Sequence, residues 1–266
     1  MRTGFIGSGN IAGAIVSGII SKEVVSPSDI YVFDVDTEKL SAFCSAKSVN
    51  ACGSISEIVK NSDYIVLSVK PQNYRDVLDE IASQQIDGKV FVSVAAGISI
   101  DFVKSIIGKE TKIVRVMPNT PLLLGEGATA ACRDVLVKDE EFERACSLFS
   151  CGGKLAVLDE AQMNAVIAVN GSSPAYLFLF AKAVCEYAKS VGIDEENAKI
   201  LFAQTMIGSA KMITDSGDDL QTLIDKVTSK GGTTAAALNV FYEKGFTDCI
   251  KEAMAACTKR AEELGS

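Results

Sequence analysis

The chain has 266 residues, 26 Lys and Arg against 34 Asp and Glu, and a formal net charge of −8; it is long enough for two ordinary cores, and its acidity argues against a nucleic-acid partner, which needs a basic face. Histidine is absent, and the eight cysteines (44, 52, 132, 146, 151, 185, 249 and 257) form no CxxC, which excludes Ser-His-Asp and Cys-His pairs, leaves no metal site expected, and fits free thiols in a reducing compartment. No charged leader precedes the first strand and no run of about 18 apolar residues is free of charges and turn signals, so the expectation is a soluble, cytoplasmic protein with no membrane partner.

Residues 3 to 16 read TGFIGSGNIAGAIV. Gly4 to Ile6 is predicted as a short buried strand. Gly7, Ser8, Gly9, Asn10, Ile11 and Ala12 then spell GxGxxA and open an apolar helix over Ile11 to Ile19. Gly7 permits the tight turn, Gly9 keeps bulk away from a pyrophosphate, and Ala12 lets helix and strand approach. Free N–H groups at the helix start would hold the phosphates. A second strand, Ile30 to Phe33, delivers Asp34 at its carboxyl end, 25 residues after Gly9, where a carboxylate accepts from an adenosine ribose. The expected ligand is a dinucleotide.

Asp36 is a candidate N-cap for the helix that follows, with Leu40 and Phe43 facing inward. Strands are predicted at Asp63 to Val69, Lys89 to Val94 and Lys112 to Met117, with helices from Tyr74 and from near Ser99 between them. This alternation is that of a doubly wound, mostly parallel α/β sheet of the Rossmann type. Ligands in such sheets lie beyond the strand carboxyl ends, which here carry Val69-Lys70-Pro71, Ala95-Ala96-Gly97 and Met117-Pro118-Asn119; stopping strands and making a turn is the alternative role for each group. Thr120 to Gly127 is predicted as a loop, Ala128 to Cys132 as a short strand, Lys138 to Phe149 as a helix and Lys154 to Leu158 as a strand. The first domain is expected to span 1–158.

From Asp159 the hydrophobic period becomes helical, and 159–266 is predicted to be all-helical. Pro174 interrupts the pattern at Gly171-Ser172-Ser173-Pro174 and restarts it, which frees backbone groups near Ser172 and Ser173. The following helices, Tyr176 to Val191 and Asp194 to Thr214, are apolar around much of their circumference, so burial against a second subunit is expected. A short helix over Asp218 to Val227 is predicted to turn Leu220, Leu223, Ile224 and Val227 inward. Ser229-Lys230-Gly231-Gly232-Thr233-Thr234 then enters another helix; it either cradles an anion or is ordinary capping by Thr233 or Thr234.

Taken together, GFIGSGNIAGAI (Gly4 to Ile15), VKPQ (Val69 to Gln72), GSSPAY (Gly171 to Tyr176) and SKGGTT (Ser229 to Thr234), with Ala95-Ala96-Gly97 and RVMPN (Arg115 to Asn119), resemble the pyrroline-5-carboxylate reductase family over essentially the whole chain. The resemblance implies reduction of the cyclic imine 1-pyrroline-5-carboxylate to L-proline with NADH or NADPH. It also implies a helical substrate and dimerisation domain forming a homodimer, in many members built into a ring of dimers. By matching position, Gly231, Gly232 and Thr233 would bind the substrate carboxylate, Ser229 would assist and Thr234 would sit near the ring nitrogen; Ser172 and Ser173, in the kinked segment, either hold the nicotinamide amide or cap the helix break. Gly7, Ser8, Gly9, Asn10, Ile11, Asp34, Val69, Lys70, Pro71, Ala95, Ala96, Gly97 and Asn119 would line the dinucleotide track. Lys230 replaces the family's usual proline and is expected to be exposed. Asp34 stands where many members carry small polar or basic residues, and a carboxylate there favours NADH. A related imine or β-hydroxyacid dehydrogenase, or a non-catalytic dinucleotide sensor, is the alternative.

Overall fold

The computed structural model describes residues 1–265, which group into two compact units. One runs Met1–Pro174 and takes back the C-terminal stretch from Ala255 on; the other is Ala175–Met254. The change of hydrophobic period at 159 therefore marks a change of secondary structure, while residues 159–174 pack with the sheet.

In the first unit β1 (Thr3–Ile6) leads to α1 (Asn10–Ser21), β2 (Ile30–Phe33), α2 (Thr37–Lys47), the two-residue β3 (Asn50–Ala51), α3 (Ile55–Asn61), β4 (Tyr64–Leu67) and α4 (Tyr74–Ala82). Then come β5 (Val90–Ser93), α5 (Ile100–Ile107), β6 (Lys112–Met117), β7 (Gly127–Arg133), α6 (Asp139–Ser150) and β8 (Gly153–Val157). The eight strands lie in the order β3-β2-β1-β4-β5-β6-β7-β8. All neighbours are parallel except β6 and β7. Order reverses between β2 and β4, on either side of β1, which opens the crevice this architecture uses for ligands.

Successive strand residues point to opposite faces. Phe5 joins Ile15, Ile19, Leu148 and Phe149 on one side of the sheet, and Ile6 joins Ile58, Leu78, Phe91 and Val103 on the other. Both faces are covered, which is why β1, β4 and β5 are buried at every position and are apolar but for Thr3 and Ser93 at their ends. Each fully buried Ile or Leu contributes about 1.5–3 kcal/mol.

The caps follow the sequence. Asp36 accepts from Lys39 N, and Ser99 from Phe102 N. The β3–α3 unit was not predicted, although Ser54 accepts from Glu57 N while Glu57 accepts from Gly53 N at 2.7 Å, a serine-glutamate cap of the S-x-x-E type. Thr120–Leu124, expected as a loop, is a 3-10 turn that buries Leu122 and leaves Leu124 exposed. Residues 160–170, expected to be helical with the rest of 159–266, run through a 3-10 turn at Glu160–Gln162 and then into a π-turn at Ile167–Gly171.

The second unit contains most of α7 (Ser173–Ser190), then α8 (Glu195–Asp215), α9 (Leu220–Lys226), α10 (Thr233–Glu243) and the first half of α11 (Phe246–Leu264). Phe180 gathers Phe202, Phe241 and Phe246 around itself with ring centroids 5.6–6.5 Å away. Beyond that cluster the unit hides little of its apolar surface: Phe178, Leu179, Leu201 and Tyr187 are each about two-thirds exposed. Leu220 and Val227, expected inward, are exposed on the single chain too, because the short α9 leaves its two ends outside its packed middle. Among the described residues no helix is long and apolar enough to cross a membrane.

Candidate active site

Gly7 follows β1 with φ +101°, and a Cβ there would sit 2.7 Å from the Ser68 carbonyl oxygen, so only glycine fits. Gly9 is the N-cap of α1 and has open space beyond its Cα. The amides of Asn10 and Ile11 begin the helix, where no intrahelical acceptor exists for them, and the helix dipole adds its positive end.

Asp34, at the end of β2, is tied back to this turn. Its Oδ2 accepts from Ser8 N at 2.7 Å, Ser8 Oγ at 2.7 Å and Lys39 Nζ at 2.8 Å, while Oδ1 accepts from Asp36 N at 3.1 Å. Burial pushes the Asp34 carboxyl up, but Lys39 and the two Ser8 donors outweigh it and hold it far below the usual carboxylate range. Ser8, 4% exposed, thus faces Asp34 with both of its donors.

Two adjoining cavities, about 490 and 420 Å³, share Gly9, Ser68, Val69 and Lys70 in their walls. The first is walled by Gly7, Asp34, Val35 and Lys39 and by one face of α4, Asp76, Val77 and Glu80. The second takes Asn10, Ile11, Pro71, Ala95, Ala96, Met117, Pro118 and Asn119 from the residues the sequence named, and adds Thr120 and Gly171. The α4 face was legible in the i, i+3, i+4 spacing of Asn73, Asp76, Val77 and Glu80. Ser68 had no such signal; its hydroxyl donates to the carbonyls of Ile6 and Gly7, bracing the turn.

Gly97 lines neither cavity. It has φ +83°, and a Cβ there would sit 2.6 Å from the Ala261 carbonyl oxygen at the end of α11; it is a close-approach glycine supporting the Ala95-Ala96 wall. Asn119 uses both ends of its amide internally: Nδ2 donates to Asn170 O at 3.1 Å and Oδ1 accepts from Ala128 N at 2.8 Å. Ser172 follows the π-turn, its N–H donating to Ile167 O and its Oγ accepting from the Cys257 thiol at 3.3 Å. Ser173 donates to the Ala168 and Val169 carbonyls left by the wide turn.

Below this segment lies the buried Arg115 of β6. Its Nη2 donates to Asn164 Oδ1 at 2.6 Å, and Nη1 is 3.6 Å from Glu160 Oε1, which also accepts Ile100 N at 2.6 Å. Burial lowers the Arg115 pKa, with Glu160 opposing.

In the helical unit Gly231 takes φ +71°, and Gly232, whose N–H donates to Ser229 O at 3.0 Å, is the N-cap of α10 with no side-chain cap. A Cβ on Gly232 would collide with Ser229 Oγ. Thr233 and Thr234 are the first two residues of α10, so capping by either hydroxyl is overturned: Gly232 already holds that position. The amides of Thr233, Thr234 and Ala235 are left at a helix start. Lys230 is exposed. Among the described residues no group of three or more Cys, Asp or Glu could hold a metal.

The chain is 37% identical to the pyrroline-5-carboxylate reductase of Escherichia coli (strain K12), over 99% of this chain and 98% of that protein. It belongs to the pyrroline-5-carboxylate reductase family. The Arabidopsis thaliana member is 34% identical over 99% of this chain and 95% of its own length. The family model for pyrroline-5-carboxylate reductase dimerisation matches residues 160–264, and one described as NADP oxidoreductase, coenzyme F420-dependent, matches 2–97. The crystal structure of the Plasmodium falciparum pyrroline carboxylate reductase with NADP bound superposes with a TM-score of 0.92 at 28% identity, covering 100% of this chain and 98% of that one. The Coxiella burnetii family member gives 0.91 at 32%, with the same coverage. Prephenate dehydrogenase from Aquifex aeolicus, at 12% identity and a TM-score of 0.55, shares the fold alone.

Proposed function

We infer that this chain reduces 1-pyrroline-5-carboxylate to L-proline with NADH or NADPH, the last step of proline synthesis, and that the exposed apolar helices of 159–266 form its homodimer. The observation that carries the reading is whole-length identity to pyrroline-5-carboxylate reductases in a chain that keeps both a dinucleotide cleft and the Gly231–Thr234 helix start.

The cleft suits a dinucleotide. The first cavity receives the adenosine end, the Asn10 and Ile11 amides hold the pyrophosphate, and the second cavity receives the nicotinamide. Asp34 Oδ1 keeps acceptor capacity for a ribose hydroxyl, whereas a 2′-phosphate would meet Asp34, Asp76 and Glu80 in a cleft where Lys39 is already paired with Asp34 and Lys70 is the other cation. We therefore propose a preference for NADH.

When bound, the cofactor supplies the hydride. A pyrroline imine is basic enough to carry its own proton near neutral pH, so a chain without histidine needs no strong acid. The protein's task is orientation. Thr233 and Thr234 amides take the substrate carboxylate, with Gly231 providing the turn and Ser229 bracing Gly232. The Thr234 hydroxyl orients the ring nitrogen, and Ser172 holds the nicotinamide carboxamide.

Eight free thiols support a reducing, cytoplasmic site of action, and any apolar helical surface left over from the dimer would serve a ring of dimers. The test is product identification: incubation with 1-pyrroline-5-carboxylate and NADH, followed by chiral chromatography. L-proline in amounts matching the NADH consumed supports the assignment; dinucleotide binding without proline would make the protein a sensor.

A further inference from the structure

The second cavity is bounded by Met117 at the end of β6, by Pro118 and Asn119 just beyond it and by Gly171 at the end of the π-turn. These walls lie more than 50 residues apart in the chain, and one side chain fastens them together. Asn170 Nδ2 donates to Met117 O at 2.8 Å and to Ala128 O at 2.9 Å, spanning the ends of the antiparallel pair β6 and β7. The Asn170 carbonyl accepts from Asn119 Nδ2, and Asn119 Oδ1 accepts from Ala128 N, so the two asparagines close a ring of hydrogen bonds. Gly171 then lies so near Met117 that a Cβ would come within 2.6 Å of Met117 Cε.

The clasp has a cost. Asn170 Oδ1 is buried with no hydrogen-bond partner among the described residues. Stability alone would favour an apolar side chain in such a place; a donating amide is required only where the two strand-end carbonyls must be tied to the turn. Wide π-turns recur at functional sites because they re-aim the backbone that follows, and here that backbone is Gly171 and Ser172.

We infer that Asn170 is a positioning residue for the reduction: by tying the π-turn to the ends of β6 and β7 it fixes the width of the nicotinamide cavity, and so the distance over which the hydride moves. This rests on the reading that the second cavity takes the nicotinamide. Wild-type turnover of the pyrroline tests the proposed reaction, a nicotinamide-dependent loss of affinity in the variants (NADH weakened, ADP-ribose not) tests the cavity, and the rate and isotope effect test Asn170.

In Asn170→Ala the walls part, and kcat/KM for the pyrroline falls about 10- to 100-fold, as small misplacements of reacting groups do. The primary isotope effect with NADH deuterated at the transferred C4 position rises towards its intrinsic value, because hydride transfer becomes limiting. ADP-ribose, which lacks the nicotinamide, binds within about twofold of wild type, a difference of under half a kcal/mol. A rate within twofold of wild type overturns the inference. So does a slow enzyme with an unchanged isotope effect and equally weakened ADP-ribose binding, which marks general damage. If the alanine variant does not fold, Asn170→Ser, which keeps one short donor, carries the same readouts with a smaller loss.

Discussion

Asp34 accepts both the amide and the hydroxyl of Ser8, each at 2.7 Å, and so joins the end of β2 to the glycine-rich turn. The carboxylate we propose for the ribose is thus also a strut of the glycine-rich turn. With Lys39 as a third donor on Oδ2, its orientation is fixed and Oδ1 is the oxygen left to face a ligand.

Asp34→Ser should reverse the cofactor preference. Loss of a charge-assisted bond to the ribose, worth about 1.5–3 kcal/mol, lowers kcat/KM for NADH roughly tenfold or more. Ser8 and Lys39 are released at the same time to meet a 2′-phosphate, so kcat/KM for NADPH rises. The ratio of the two constants is the measurement, and an unchanged ratio removes Asp34 from the account.

The same carboxylate sets a pH window. Its folded pKa lies below its unfolded value, so the stability it contributes is present in full above about pH 4 and is lost as pH falls through the depressed folded value. Between pH 5.5 and 9 the group stays ionised. The NADH to NADPH ratio of kcat/KM should therefore be flat across that range at constant ionic strength, once titration of the 2′-phosphate itself is corrected for. A residual change in NADH binding centred near neutrality would contradict this.

Thr234→Ala keeps the first turn of α10, since Gly232 is the cap and the amides remain. The hydroxyl is lost together with the γ-methyl, and Thr234→Val, which keeps the branched shape, isolates the hydroxyl. The expected result is a fall in kcat/KM for the pyrroline of roughly tenfold, the value of a net hydrogen bond of about 1.4 kcal/mol, with NADH affinity unchanged. Equal loss of cofactor binding would make Thr234 structural.

Arg115→Met tests the support beneath the π-turn. It removes the bond to Asn164 and the partner of Glu160. A fully buried pair broken in this way loses about 3–5 kcal/mol; Glu160 is one-third exposed and keeps the Ile100 amide, so about 2–3 kcal/mol is expected, at the charged hydrogen-bond scale. Urea denaturation followed at the sheet unit measures it.

The strands and most helices of the sheet unit were legible because each is carried by a local signal: a buried apolar run, an Asp36 or Ser99 cap, a glycine turn. β3 was not, since two residues carry no period, and the Ser54-to-Glu57 cap is the one local signal for the helix after it. The π-turn was hidden because a proline at 174 announces a break without saying that the preceding turn widens to i−5 bonding, as Ser172 N to Ile167 O does. At the site, residue types were readable and their partners were not. Nothing in the sequence ties Asp34 to Ser8, Gly97 to Ala261 or Asn170 to Met117, because these are contacts across 26 to 164 positions made by the fold itself.

The most direct test is initial-rate absorbance at 340 nm with 1-pyrroline-5-carboxylate, run in parallel with NADH and NADPH at matched concentrations. Rapid oxidation of NADH with a weaker response to NADPH is the expected result. Turnover of neither, by folded protein that binds dinucleotide, would contradict the assignment of the reaction.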